Sequence, residues 1–314
     1  MRLSIHVGLP KCGSTTLQET LGGMRGELAT RGVFYPPSFR PNFEAANTLM
    51  NNEWAGGDIG VNHVVAEARK AGAHHCILTS EYIAINVAKY DVDLLRLAGD
   101  WLAANGVELQ LVQISRHQNE FLLSMYRQSI TNGPVNAAKY SDWDLAALRH
   151  YYDTSLQTLC DTLRPAEVAR HSLTDSDWIG SVFSSLDLPA PSSLNRANRS
   201  APDVAIEVLR QFNKMGDAAP SRVYVCRLIS LAIGRANNSL MRQACRRPPE
   251  DACLLSSNAI RSLSFDANPP LSYSPQEFAD FKAYLLSLLE THSSTISSVP
   301  QKFIKVFDEM HSDA

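Results

Sequence analysis

The sequence predicts an α/β fold, a parallel sheet with crossover helices on both faces, and three observations predict it. Short apolar runs of strand length alternate with amphipathic segments of helical period. The clearest strand, residues 107–114 (VELQLVQI), leads at once through Ser115-Arg116 into a helical pattern. The first eighteen residues read as a strand, a glycine-bounded loop and a helix start. In such sheets ligands sit beyond the carboxyl ends of the strands. Those ends are Gly8–Gly13, Ser80-Glu81 and Ser115-Arg116, so the three are expected to converge.

In chain order, residues 3–7 form the first strand, and Ser14 opens a helix with Leu17, Leu21, Met24 and Leu28 at helical spacing until Gly32 stops it. Residues 33–35 are a short strand that Pro36-Pro37 ends. Residues 36–60 are rich in Pro, Asn and Gly with Phe39, Phe43 and Trp54 interleaved. A loop that long in a compact domain is usually functional, and it is read as a binding rim. Residues 61–71 form an amphipathic helix carrying His63, 76–79 a buried strand, 92–104 a helix closed by Asn105-Gly106, and 117–130 another helix. Helical spacing then covers 143–163, 175–186, 203–214, 222–241 and 275–289. A short edge strand is expected at 167–170, and residues 242–274, with two Pro-Pro pairs, read as loop. Linker signals are too weak to divide the chain. One domain over 1–314 is expected, with a core over 1–200 and a helical extension over 201–314.

At 314 residues the chain can bury a large core. The 29 Lys and Arg against 32 Asp and Glu leave no global basic field, which disfavours wholesale nucleic-acid binding and makes any anion site local. Six scattered cysteines without a C-x-x-C pair fit reduced thiols rather than a disulfide framework or a zinc site. No metal site is implied. The first residues already form the strand and no run of about 18 apolar residues occurs, so the expectation is a cytoplasmic protein without a leader or a membrane span.

The loop after the first strand is built as a phosphate cradle. Glycines let backbone N–H groups approach an anion, the helix N-terminus adds partial positive charge, and Lys11 with the hydroxyls of Ser14, Thr15 and Thr16 complete the donor set. A Walker loop places lysine directly after its second glycine. Here Gly8 and Gly13 have that separation, but Ser14 takes the lysine position and Lys11 lies inside the loop. Cys12 reads as a small loop filler, and His6, inside the strand, as a hydrogen-bonded core histidine. At the third strand end, Arg116 offers a planar fork to a phosphate, and Ser124, eight residues on, offers a hydroxyl.

The stretch Pro10-Lys11-Cys12-Gly13-Ser14-Thr15-Thr16 resembles the 5′-phosphosulfate loop of sulfotransferases that use 3′-phosphoadenosine 5′-phosphosulfate (PAPS). The set Arg116, Ser124 and Tyr126 resembles the 3′-phosphate motif of the same family. The likeness runs over residues 1–200, includes His63 and Ser80-Glu81, and reaches Arg199 and Ser200 in a later nucleotide-proximal segment. It is closest in character to bacterial sugar and oligosaccharide-type members. Two departures stand out: His117-Gln118 replaces the usual Asp-Pro after the arginine, and the R-K-G loop of small-molecule sulfotransferases is absent. The resemblance implies a P-loop-like sulfotransferase fold with three layers. It implies PAPS as donor, PAP as product, and a hydroxyl acceptor, with a carbohydrate or other polar metabolite favoured; residues 36–60 would rim the acceptor site.

In-line sulfuryl transfer needs charge stabilisation and a base. Lys11 would neutralise the leaving oxygen, and the base would be Glu81 or His63. Neither oligomeric state nor acceptor identity is legible. Two alternatives remain, a P-loop-type kinase with a displaced lysine and a nucleotide-binding protein without transfer activity.

Overall fold

In the computed structural model of the chain, five strands form one all-parallel sheet. They are β1 (Arg2–His6), β2 (Val33–Phe34), β3 (His75–Thr79), β4 (Glu108–Ser115) and β5 (Glu167–Ser172), in the spatial order β2-β3-β1-β4-β5. The residues described are 1–9, 11–36, 61–79, 92–132, 140, 145–191, 201–215, 220–234, 240, 243–246, 254–265, 271–298 and 300–311. Two units of dense internal contact divide the chain, Met1–Leu122 with Leu145–Ala197, and Leu123–Asp144 with Asn198–Ala314.

The first unit holds the sheet with helices α1 (Ser14–Gly23), α2 (Arg25–Thr30), α3 (Val61–Lys70) and α4 (Val92–Ala104). Helix α5 (Gln118–Asn132) starts in this unit and ends in the other; α6 (Leu145–Leu163) and α7 (Trp178–Ser185) belong to the first. The predicted single helix from Ser14 toward Gly32 is two, broken at Met24 (φ −94°, ψ 3°). Gly22, Gly23 and Gly26 supply too little helix propensity to carry one helix through. The segment expected over 175–186 begins only at Trp178, because the Asp177 side chain accepts from the Gly180 N–H and caps it there.

Strand alternation sorts the sheet into two chemical faces. Leu3 and Ile5 of β1, with Val7 just beyond it, pack with Val64 and Ala68 of α3 and Leu159 of α6 in one apolar core. The opposite face is polar at its centre. Ser4 Oγ donates to Gln110 Oε1 (2.6 Å) and lies 2.8 Å from His75 Nε2, while Gln110 Nε2 donates to the Ser185 carbonyl (2.9 Å). With its one proton spent on Gln110, Ser4 must accept from His75, which fixes the Nε2–H tautomer.

His75 and His6 are both buried neutral. Burial, then the neighbouring Arg2, lowers the His75 pKa to about 4; burial, then His171, lowers that of His6 to about 3. Unfolded histidine titrates near 6.5, so between these values the unfolded chain holds protons that the folded chain does not. Stability is therefore complete above about pH 6.5 and falls as pH drops toward 4. Urea melts from pH 7 to 5 should show a slope approaching two protons from these rings, about 2.7 kcal/mol per pH unit. A flat profile would contradict the buried neutral assignment.

The second unit is helical: α8 (Asp203–Lys214), α9 (Arg222–Ile233), α10 (Ser257–Arg261), α11 (Pro275–Ile296) and α12 (Pro300–His311). Helix α9 stops at Gly234 in the left-handed conformation (φ 54°), short of the expected 241. Helix α10 lies in the stretch read as loop, and the Ser256 side chain caps it. Helix α11 starts at a Ser274–Glu277 capping box with Pro275 behind the cap, and it runs past 289 across a kink at His292. Arginines lock this unit from inside. Fully buried Arg227 donates to the carbonyls of Ala244 (2.7 Å), Ile296 (2.7 Å) and Ser298 (2.5 Å), and it stacks on Phe303. Among the described residues no helix is long and apolar enough to cross a membrane.

Candidate anion-binding site

The chain leaves β1 for β2 on one side of the sheet, then enters β4 on the other side and leaves it for β5. Beyond the carboxyl ends of β1 and β4 is therefore the topological switch point, the place where open α/β sheets take ligands. The loop following β1 and Arg116 following β4 flank it. One bond joins them: Arg116 Nη1 donates to the Lys11 carbonyl at 3.1 Å. Tyr152 of α6 donates its hydroxyl to the Arg116 carbonyl at 2.5 Å, fixing the arginine backbone from behind. Burial first, then Cys12 and Asp153, raises the Tyr152 pKa, so it stays a donor at neutral pH.

Two residues of the loop are left-handed, Lys11 (φ 64°) and Gly13 (φ 85°). A non-glycine residue there carries about 1–2 kcal/mol of strain, and such strain collects at functional turns. Cys12 between them is fully buried. Gly13 is the N-cap of α1 and brings no side chain to cap it. The first N–H groups of α1 are thus not met by a capping side chain, and no acidic residue occupies its first turn. Ser14, the first helical residue, is 3 % exposed, and its hydroxyl has no hydrogen-bond partner among the described residues. An uncapped helix start, a buried unpaired hydroxyl beside it and two cationic residues at one switch point are donors of the kind an anion requires.

Gly13 has a second reason to be glycine. A Cβ there would lie 2.9 Å from Trp178 Cη2 and 3.0 Å from Leu173 Cδ1. The segment after β5 therefore packs against the loop from the far side.

Of the sequence-predicted site residues, the fold brings Lys11, Cys12, Gly13, Ser14, Thr15 and Thr16 into one turn and ties Arg116 to it. Arg116 Nη2 also meets Glu120 Oε2 at 3.4 Å. No protein-family model, curated protein or solved structure matches this chain. Ser124 and Tyr126 lie on the part of α5 that belongs to the second unit, and both are buried; Tyr126 packs edge-on against Tyr140. His63 is on the exposed side of α3. Pro10, Glu81, Arg199 and Ser200, and residues 37–60 of the expected rim, lie outside the described residues. One expectation is corrected: His6 is a core residue but not a hydrogen-bonded one. Neither ring nitrogen has a partner among the described residues, although the ring is buried. Trp178, Leu173 and Tyr152 escaped the sequence reading, since only tertiary structure joins positions so far apart.

Proposed function

We propose that the chain is a sulfotransferase that moves a sulfuryl group from PAPS to an acceptor hydroxyl, with a carbohydrate or other polar metabolite as acceptor. The observation that carries the proposal is the pairing of the uncapped, lysine-bearing loop with Arg116 across the switch point. A donor with phosphate at both its 5′ and 3′ sides calls for two anion contacts on neighbouring strand ends, and a nucleoside triphosphate does not. In this reading the N–H groups of Gly13 to Thr16 and the hydroxyls of Ser14 and Thr15 hold the 5′-phosphosulfate. Arg116, tied to that loop, receives the 3′-phosphate.

The chemistry follows from charge. The sulfur–oxygen bond to the phosphate breaks as a bond to the acceptor oxygen forms. Lys11 neutralises the leaving oxygen, and Glu81 or His63 takes the acceptor proton. Arg116→Ala tests the assignment: PAP should weaken at least tenfold while AMP, lacking the 3′-phosphate, changes less than threefold. Equal losses for the two ligands, read by calorimetry, would remove Arg116 from the 3′-phosphate. Lys11→Ala should leave most PAP affinity and abolish PAP release from PAPS in the presence of an acceptor.

A further inference from the structure

His6 ends β1 at the root of the loop, 2 % exposed, with Nδ1 and Nε2 both unpartnered among the described residues. Buried polar groups in native proteins are nearly always paired, so a ring with two unmet nitrogens at this point requires a reason. Its placement comes from the backbone. Strand alternation turns it away from the apolar core of Leu3, Ile5 and Val7, and the edge formed by Nε2 and Cε1 lies where a Gly8 side chain would project. Gly8 is not among the left-handed glycines, so it is glycine for room and not for torsion.

His6 is not alone. Ser14 Oγ and Gln18 Nε2 are likewise buried and unpartnered among the described residues, and four residues apart they share one face of α1. One strand–loop–helix segment thus concentrates unmet hydrogen-bonding capacity from both of its regular elements. That pattern costs stability in the free protein, because each unmet group is desolvated without a partner. It is retained where a bound state repays it.

We propose that His6 is a positioning residue of the anion loop, an imidazole whose hydrogen-bonding capacity is met when a phosphate is bound there. The ring does not touch the ligand; it holds the Gly8 end of the loop in its anion-binding path. This role rests on the reading that the loop binds a nucleotide phosphate.

The test separates affinity from stability. His6→Phe keeps a ring in the slot and removes both nitrogens. Its melting temperature without ligand should equal or exceed that of the wild type, while PAP titrated calorimetrically binds at least tenfold more weakly. Binding within threefold of wild type would overturn the proposal, as would a parallel fall of affinity and melting temperature. A second arm does not depend on that variant folding. Gly8→Ala should cost at least tenfold in PAP affinity with His6 present and less than twofold in a His6→Ala background; equal costs in the two backgrounds would overturn the proposal. A wild type that ignores PAP sinks the nucleotide reading itself, whereas a wild type that binds PAP as well as His6→Phe does sinks only the role of His6.

Discussion

Gly13→Ala is expected to weaken PAP binding at least a hundredfold, about 2.7 kcal/mol. Two effects act together. At φ 85° an alanine carries left-handed strain that glycine does not, about 1–2 kcal/mol. The added methyl would also press on Trp178 and Leu173, with the nearest carbon at 2.9 Å, closer than a real Cβ contact tolerates. Relief comes from shifting the Trp178 and Leu173 side chains or the N-cap of α1, and a shifted N-cap moves the N–H groups of Ser14 to Thr16. The sheet should survive, because Gly13 lies beyond the end of β1. Calorimetric titration beside a thermal melt checks this. Adding Trp178→Ala should restore only part of the affinity, since the torsional strain stays. A Gly13→Ala variant that binds within threefold of wild type would show that this helix start does not hold the ligand.

The largest effect on stability is expected in the second unit. Glu207 and Arg210 on α8 are both fully buried and bidentate, with Nε to Oε2 at 2.8 Å and Nη2 to Oε1 at 2.6 Å. Gln211 adds a donor to the same carboxylate at 2.9 Å and reaches the Ser264 carbonyl at 2.6 Å. Glu207→Ala removes the carboxylate that neutralises a buried guanidinium, and denaturant melts should show a loss of about 3–5 kcal/mol. Replacing both partners, Glu207→Met with Arg210→Leu, should bring the loss below about 1 kcal/mol or stabilise the protein, because the desolvation of two charges disappears with them. A double variant as unstable as Glu207→Ala would mean that the pair holds α8 by something other than mutual neutralisation.

How much the sequence disclosed follows from the range of the interactions. The four longer strands and α3, α4 and α8 were legible within a residue or two, because their periodicity is local. The order strand, glycine-bounded loop and helix start around Gly8 to Ser14 was legible for the same reason, since it is local. Arg116 was placed at a strand end, and the fold puts that strand beside β1. What was hidden depends on tertiary contact. Nothing near Gly13 announces Trp178, and nothing near His6 announces that its ring would fill the slot before Gly8. The Glu207–Arg210 pair at helical spacing looks like a solvated surface pair until burial is known. The break at Met24 rests on the low helix propensity of Gly22, Gly23 and Gly26, which the leucine stripe of Leu17, Leu21 and Leu28 masks in the sequence.

On the proposed function, this loop and Arg116 together hold a nucleotide with phosphate on both sides. The most direct test is calorimetric titration of the wild type with PAP, then AMP, then ATP with magnesium. Micromolar PAP binding is expected, with AMP at least tenfold weaker, a gap of about 1.4 kcal/mol or more. Magnesium-dependent ATP binding with PAP ignored would contradict it and leave the displaced-lysine kinase as the better reading of the same loop.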